Sequence, residues 1–506
     1  MELVKESCIG RLALLIYALC RESAVGALLH RFCNWCEHKW HESALICFLT
    51  REGTLPRSWP SSVSCRLLGG ILNLPANLLH RWYLTWQKTF DASFFANLAF
   101  DMGDSTAIAA SWLMALLLII PYERWNNAYS LLGFFLCLCL LILGGMRRKS
   151  LRIDVQSLGP YLVLFGAAVL LSLPLSHYRS LSARFLLYHV ACMLCVLVTV
   201  SAVRNVRDLL RLAGGAGIAV TISSAYAFVQ RIQGVEVNES YVDMTLNAGM
   251  PGRVYSFFDN PNAFAELLLF FLPVLLALVL CARHWYSKLA AFAAFCLGTG
   301  AILMTYSRAS WIGLAFSIVV FVFLWNPRLI PVLALLALAC VPFLPDTILN
   351  RISTITNLND SSTSSRFPLY GAAFRLLKES PIRGAGLGTS AVQQFIQDNS
   401  LYRGTAPFVH AHDIYLQVWA EMGLLGVTGF VSGMLWSYKS AAAAAKHTSP
   451  AARLLTLGGA SAIAGAMVCA IADYLWNYPR VMCAFWFLVA ITVSGIKVCR
   501  QEQQAA

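Results

Sequence analysis

The stretch Glu379-Ser-Pro-Ile-Arg-Gly-Ala-Gly-Leu-Gly388 lies inside a polar insert, residues 345–412, which separates long apolar runs. The insert closes on His410-Ala-His412-Asp413, directly before the next apolar run. Connections longer than about 15 residues without secondary structure of their own are usually functional or disordered. The insert also carries six basic residues: Arg351, Arg366, Arg375, Lys378, Arg383 and Arg403. We therefore predict that it folds as an extracytoplasmic cap over an active site, between membrane-spanning helices.

The composition is typical of a membrane protein. Of the 506 residues, 58% are hydrophobic and only 12% are charged, whereas charged residues approach a quarter of a soluble domain. Because backbone polar groups in lipid must be satisfied internally, long apolar runs predict helices. The formal net charge of +13 fits basic cytoplasmic loops and sites for anionic lipids, and it does not indicate a nucleic-acid partner. The expected fold class is an all-α polytopic membrane protein.

Apolar runs of about the 20 residues that a bilayer requires predict about twelve transmembrane helices. Basic residues fall in alternate loops, which the positive-inside rule assigns to the cytoplasm together with both termini. The large extracytoplasmic loop then lies between helices 9 and 10. The predicted helices cover residues 105–121, 128–145, 159–176, 184–203, 208–230, 261–281, 287–305, 309–325, 329–344, 413–437, 453–472 and 480–498.

This topology divides the chain into five parts. Basic and aromatic residues at helical spacing in the first part are typical of interfacial helices. Its cluster of histidines and cysteines, residues 30–41, contains one C-x-x-C pair and indicates either such a helix or a metal site. The predicted parts are a cytoplasmic or interfacial N-terminal region at 1–104, helices 1–9 at 105–344, the large loop at 345–412, helices 10–12 at 413–498 and a cytoplasmic tail at 499–506.

Two arginines lie on the same predicted side of the membrane as the insert. Arg253 precedes Asn260-Pro261-Asn262, in which Asn260 and Pro261 are typical of a helix start. Arg308 lies in a short turn between two predicted spans. The ordinary explanation is a headgroup anchor at the membrane surface. We favour a binding site, because a guanidinium is a rigid fork of donors that stays charged and suits the oxygens of a pyrophosphate.

His410 and His412 flank the entry to the tenth predicted span. A neutral imidazole can accept a proton from a hydroxyl nucleophile, and a helix cap or a pair of metal ligands are the alternatives. Asp413 either orients a histidine or caps the helix. Asp473 lies at the outer end of the eleventh span, where an acidic residue is a functional candidate by default.

Five motifs, in order, resemble the O-antigen ligase and O-antigen polymerase superfamily over about residues 105–498. The motifs are Gly252-Arg253 with Asn260-Pro-Asn262-Ala-Phe-Ala, Tyr306-Ser-Arg308-Ala-Ser-Trp, Ser365-Arg366, Pro381-Ile-Arg-Gly-Ala-Gly-Leu-Gly388, and His412-Asp-Ile-Tyr-Leu-Gln-Val-Trp-Ala-Glu421-Met-Gly. The family often has Asn where this chain has Asp413.

The resemblance implies an inverting, metal-independent membrane glycosyltransferase without a cofactor. Such an enzyme moves a glycan from an undecaprenyl-pyrophosphate carrier to a hydroxyl of a sugar or lipid acceptor, at the extracytoplasmic face of the bacterial cytoplasmic membrane. By resemblance, Arg253 and Arg308 bind the pyrophosphate and His412 is catalytic, with His410 as the rival candidate. Arg366, Asn262 and Asp473 are the further expected substrate contacts.

Three alternatives remain at this point. A polymerase of the same superfamily uses another lipid-linked repeat as the acceptor, through the same pyrophosphate chemistry. A transporter of lipid-linked sugar or of a small anion would show inverted repeats and broken helices, and no such repeat is evident in the sequence. An inactive scaffold would use the N-terminal region to bind a cytoplasmic partner.

Overall fold

The computed structural model describes residues 23–149, 151–237, 250–356, 361–404, 407–446 and 448–505. Within these ranges the regular secondary structure is helical throughout. The α-helices, in chain order, are Ala24–Glu42 (α1), Ala44–Leu49 (α2), Thr54–Ser58 (α3), Val63–Leu72 (α4), Leu74–Thr85 (α5), Gln87–Ala92 (α6), Phe94–Asp104 (α7), Thr106–Ile119 (α8), Ala128–Arg147 (α9), Val155–Leu175 (α10), Arg179–Ala202 (α11), Val206–Gln233 (α12), Pro261–Cys281 (α13), Trp285–Met304 (α14), Arg308–Trp325 (α15), Ile330–Cys340 (α16), Asp346–Ser353 (α17), Ser361–Ser364 (α18), Arg366–Glu379 (α19), Thr389–Asp398 (α20), Ile414–Ala444 (α21), Pro450–Cys469 (α22) and Pro479–Ala505 (α23).

Ten of these helices, α9 to α15 and α21 to α23, are long and apolar enough to cross a membrane. Two bent pairs raise the number to as many as twelve: α7 with α8, at 65°, and Pro327–Phe343 with α17, at 119°. The predicted all-α polytopic fold is therefore confirmed. The first and ninth predicted spans correspond to α8 and α16, which have only 14 and 11 residues. Each is shorter than the ~20 residues of a straight span.

The core of the bundle is formed by α13, α22 and α23. The share of buried residues in their most apolar windows is 72%, 78% and 94%. A helix that is apolar on all sides is stable where other helices surround it, which explains α23. Gly313 of α15 faces Gly465 of α22, and a Cβ on either glycine would approach the other's carbonyl oxygen within 2.7 Å. Small residues thus let these two backbones pack closely.

The N-terminal helices pack against one end of the bundle, which we call the basic end. Trp59 donates through Nε1 to the carbonyl of Val155 at 3.1 Å, and the Asn73 side chain accepts from the backbone N–H of Ile153 at 2.8 Å. Many large apolar side chains of this region are exposed, including Trp82 and Phe95, so an interfacial position remains our prediction. The side chains of Cys36 and His41, from the histidine and cysteine cluster, lie outside the described part.

The insert lies at the opposite end of the bundle and is folded. Its helices α19 and α20 bury apolar side chains against each other and against Ala420 of α21. The glycine-rich turn that joins them is fixed by backbone hydrogen bonds, from Ala385 N–H to the Ala420 carbonyl at 2.7 Å and from Gly386 N–H to the Glu421 carbonyl at 3.2 Å. Gly388 has φ +91°, and a Cβ there would lie 2.1 Å from the Phe185 ring. This position therefore requires glycine.

Candidate functional site

A cavity of about 220 Å³, which we call the arginine cavity, opens where α13, α15, the insert and the α22–α23 segment meet. The side chains that carry charge or amide groups in its wall are Arg253, Asn262, Arg308, Arg351, Arg366 and Asp473. All of the predicted substrate-binding residues are thus brought together, although they come from four separate parts of the sequence. Arg351 is an additional cation that we did not single out from the sequence as a site residue.

Arg253 is fixed against the start of α13. It is 7% exposed, its Nε donates to the carbonyl of Thr305 at 2.5 Å, and its Nη2 donates to the side-chain oxygen of Asn262. Asn260 caps α13 by accepting from the backbone N–H of Asn262 at 2.8 Å, and Pro261 is the first helical residue. The expected helix start therefore exists and also positions the arginine.

Arg308 is the first residue of α15 and connects this helix to the insert. Its Nη1 donates to the carbonyl of Thr354 at 2.7 Å, and its Nη2 lies 3.4 Å from Oγ1 of Thr363. Arg351 is 4% exposed, and its Nε lies 3.4 Å from the carbonyl of Tyr306. Arg366 has no hydrogen-bond or ion-pair partner among the described residues. Its guanidinium lines the same cavity wall as the Asp473 carboxyl group.

His410 and His412 are adjacent in space, with ring centroids 4.1 Å apart, but their environments differ. His410 is 5% exposed. Burial, followed by the neighbouring His412, lowers the pKa of His410 to about 3. The side chain of His412 is 31% exposed, and its Nδ1 lies 3.5 Å from Oδ1 of Asp473. His410 is thus a buried neutral imidazole, whereas His412 is the accessible member of the pair.

Asp473 is 8% exposed. Burial alone would raise its pKa, but the contact with His412 and the charge of Arg366 together hold the pKa well below its usual range. Asp413 has a different role: its side chain accepts from the backbone N–H of Leu416 at 2.9 Å and caps α21. Of the two acidic residues, Asp473 is therefore the one placed to orient His412.

A buried network behind the histidines was not predicted from the sequence. The carboxyl group of Glu421, 1% exposed, accepts hydrogen bonds from Gly388 N–H at 2.9 Å, Gln417 Nε2 at 2.8 Å and the Tyr474 hydroxyl at 3.0 Å. The side-chain oxygen of Gln417 in turn accepts from the N–H of Ala411 at 2.9 Å. An ionisable residue inside an apolar span is a functional candidate, and that signal was present at Glu421. The network fixes the backbone between the two histidines.

The backbone of His412 is itself unusual, with φ +51°. Non-glycine residues in the left-handed region are uncommon and persist where the surroundings enforce them. The hydrogen bond from Ala411 to Gln417 and the cap by Asp413 flank this residue on both sides. The backbone that carries the imidazole is thus held in place by the chain around it.

His410, His412 and Asp473 form a group that can hold a metal ion. Each offers one ligand atom, and the three atoms lie within 4.8 Å of one another. Imidazole nitrogens with one carboxylate oxygen are suitable ligands for zinc and similar divalent metals. The sequence left a pair of metal ligands as one alternative for the two histidines, but it did not show that Asp473 joins them as a third ligand.

These features define a multi-pass helical membrane protein with a cationic cavity beside a histidine–aspartate pair. Residues 292–431, from α14 into α21, match the family model described as O-Antigen ligase. This match covers 140 of the 506 residues and supports the resemblance to the O-antigen ligase superfamily seen in the sequence motifs. The matched segment includes Arg308, Arg366 and both histidines, whereas Arg253 and Asp473 lie outside it. No curated protein is significantly similar to the chain.

Proposed function

We propose that this protein is an O-antigen ligase-type glycosyltransferase that moves a glycan from an undecaprenyl-pyrophosphate carrier to an acceptor hydroxyl in cell-envelope polysaccharide biosynthesis. The observation that carries the proposal is the convergence of four arginines on one cavity, beside the pair formed by His412 and Asp473. The family match supports ligase- or polymerase-type chemistry in general.

The arginines would hold the donor and stabilise the leaving group. When the bond between the anomeric carbon and the pyrophosphate oxygen breaks, the electron pair stays on that oxygen and adds negative charge. Cations that are already fixed in place stabilise such charge without reorganisation. Arg253 and Arg308 are fixed by hydrogen bonds to the protein, and Arg366, whose charge acts on Asp473, would bind the phosphates from the side of the insert.

His412 would be the general base. With Nδ1 directed at Asp473, the other ring nitrogen, Nε2, is free to accept the proton of the acceptor hydroxyl as its oxygen attacks the anomeric carbon. The aspartate stabilises the imidazolium that forms, as carboxylates do in other histidine-dependent sites. Attack opposite to the leaving pyrophosphate inverts the anomeric configuration. No step in this sequence requires a metal ion.

A polymerase is the second candidate, because donor binding and base catalysis are the same when the acceptor is another lipid-linked repeat. The proposed location is the bacterial cytoplasmic membrane, with the arginine cavity on the extracytoplasmic face. The concentration of basic residues at the opposite end of the bundle supports this orientation.

The test is glycan transfer from the undecaprenyl-pyrophosphate donor by the purified protein. We expect His412→Ala to lower kcat by about 10²- to 10⁴-fold and Arg308→Gln by about 10²-fold. Arg366→Gln should mainly raise the KM for the donor. The matched control is Arg403→Gln, since Arg403 is exposed in the same insert and does not line the cavity. If His412→Ala transfers normally, this mechanism is wrong.

A further inference from the structure

A second cavity, of about 360 Å³, lies next to the candidate site. We call it the α11 cavity, after the helix that supplies Arg184, Phe185, Tyr188 and His189 to its wall. It shares no lining residue with the arginine cavity. Both cavities nevertheless border the segment between α22 and α23, because Asp473 lines the first and Tyr474 lines the second.

Tyr474 lies directly beside the histidines. Its ring centroid is 5.5 Å from that of His410, and its hydroxyl donates to Glu421 in the buried network. Thr389 and Ser390, which also line the α11 cavity, directly follow Gly388 of the glycine-rich turn. The α11 cavity thus borders the tyrosine that packs against His410 and the residues that follow the glycine-rich turn.

The polar wall of the α11 cavity is organised around Tyr188. Its hydroxyl accepts from Arg184 Nε at 2.8 Å and from Asn127 Nδ2 at 3.1 Å, and Asn127 accepts from Trp125 Nε1 at 2.7 Å. Because the hydroxyl already accepts two hydrogen bonds, its own hydrogen remains available to donate. The wall therefore offers donors whose directions are fixed by their neighbours.

The other side of the α11 cavity is aromatic and holds a buried acceptor. His189 is 3% exposed, and its Nδ1 lies 3.0 Å from the carbonyl of Phe185. Since a carbonyl only accepts, Nδ1 carries the hydrogen and Nε2 is an acceptor. Neither this Nε2 nor Nε1–H of the neighbouring Trp476 has a partner among the described residues. A hydroxyl group that reached both atoms would accept from Trp476 Nε1–H and donate to His189 Nε2.

This combination of polar and aromatic groups indicates which class of ligand the α11 cavity binds. A phosphate would be held by several cations, whereas Arg184 is the sole charged residue in the described wall. An acyl chain would leave the polar groups without partners, which is unfavourable. A sugar ring has apolar faces and hydroxyl groups that donate and accept. We propose that the α11 cavity is a saccharide subsite, which holds a sugar unit of the acceptor or of the donor glycan; this inference rests on the proposed function.

The experiment compares KM values for donor and acceptor in the purified full-length protein. The variants are Tyr188→Phe and Arg184→Gln, and the matched controls are Tyr129→Phe and Arg179→Gln, exposed residues outside both cavities. Loss of one hydrogen bond should raise the KM of the bound substrate about fivefold with kcat unchanged, because the contact is equal in the ground and transition states. A rise for the acceptor assigns the cavity to the acceptor sugar, and a rise for the donor assigns it to the donor glycan.

If transfer occurs and both variants match their controls for both substrates, the subsite is wrong. A binding measurement separates this outcome from failure of the proposed function. Glycan released from its carrier by mild acid hydrolysis is titrated into wild type, Tyr188→Phe and Arg308→Gln by calorimetry. The acceptor saccharide is titrated into the same three proteins. Weaker binding of either saccharide to Tyr188→Phe, with Arg308→Gln unchanged, supports the subsite even if no transfer is observed. Equal binding of both saccharides to all three proteins overturns it.

Discussion

At the scale of single residues, two histidines that are two positions apart differ because one is buried and the other is partly exposed, beside an aspartate of the arginine cavity. His410 is packed against Tyr474 and keeps its neutral form, while His412 pairs with Asp473. The sequence left both as candidate bases. The structure favours His412, since a base must reach the hydroxyl that it deprotonates.

Burial of His410 should make the protein sensitive to acid. In the unfolded chain its pKa is near 6.5, and in the fold it is lowered to about 3. Between these values the unfolded state binds more protons, so the free energy of unfolding falls as pH falls. We expect the Tm of wild type to drop between pH 7 and pH 4, and that of His410→Gln to drop less.

The control for this comparison is His284→Gln, because His284 is exposed at the basic end. The lowered pKa of Asp473 acts in the same direction, and its main favourable causes, His412 and Arg366, are present in all three proteins. An identical fall of Tm in wild type and His410→Gln would contradict the assignment.

Because the same two histidines can bind a metal ion, we expect zinc to inhibit glycan transfer. We expect transfer to be unaffected by a chelator and to be inhibited by added Zn²⁺, which would occupy His410, His412 and Asp473 and block the base. His410→Gln should need a higher zinc concentration for half-inhibition, as measured by glycan transfer. Loss of activity in chelator with recovery on adding metal would show instead that a metal is required.

At the scale of structural elements, Glu421 connects the glycine-rich turn, α21 and the α22–α23 segment. Glu421→Ala would leave three buried donors without an acceptor, and each such loss costs about 1–3 kcal/mol. We expect a large fall in Tm together with a fall in kcat. The control is Glu379→Gln, because Glu379 is exposed in the same insert, and it should change neither Tm nor kcat. If Glu421→Ala is as stable and active as wild type, Glu421 does not have this connecting role.

The elements also show what the sequence could and could not predict. The start of α13 was predictable, because Asn260 and Pro261 act locally. Arg308 and His412 could be singled out as candidates because polar residues at the edges of apolar runs are conspicuous. The contact between Gly388 and Glu421 joins residues 33 positions apart, and the burial of Arg351 depends on the bend between α16 and α17. Neither leaves a local pattern, since both depend on how distant segments pack.

At the scale of the whole molecule, the two ends of the bundle differ in how basic residues are distributed. At the basic end, ion pairs such as Arg500–Glu52 and Lys497–Asp154 connect α23 to other segments of the chain. On the basis of the positive-inside rule we propose that this end lies in the cytoplasm. We expect an impermeant maleimide to label a cysteine introduced at position 403 in intact cells and to leave one at position 207 unlabelled until the membrane is permeabilised. The unmodified chain gives the background, and the reverse pattern would invert the topology.

Because the backbone of His412 is left-handed, the residue that activity requires at this position should lower the stability of the fold. At an exposed helical position such as Thr428, glycine should be less stable than alanine by about 1 kcal/mol. At position 412 the order should reverse, because glycine adopts positive φ freely and alanine does not. Thermal denaturation of His412→Gly and His412→Ala measures this directly. If His412→Gly proves more stable than both His412→Ala and wild type, the histidine is kept at a cost in backbone strain. Selection for heat resistance alone would then replace the histidine and remove the activity.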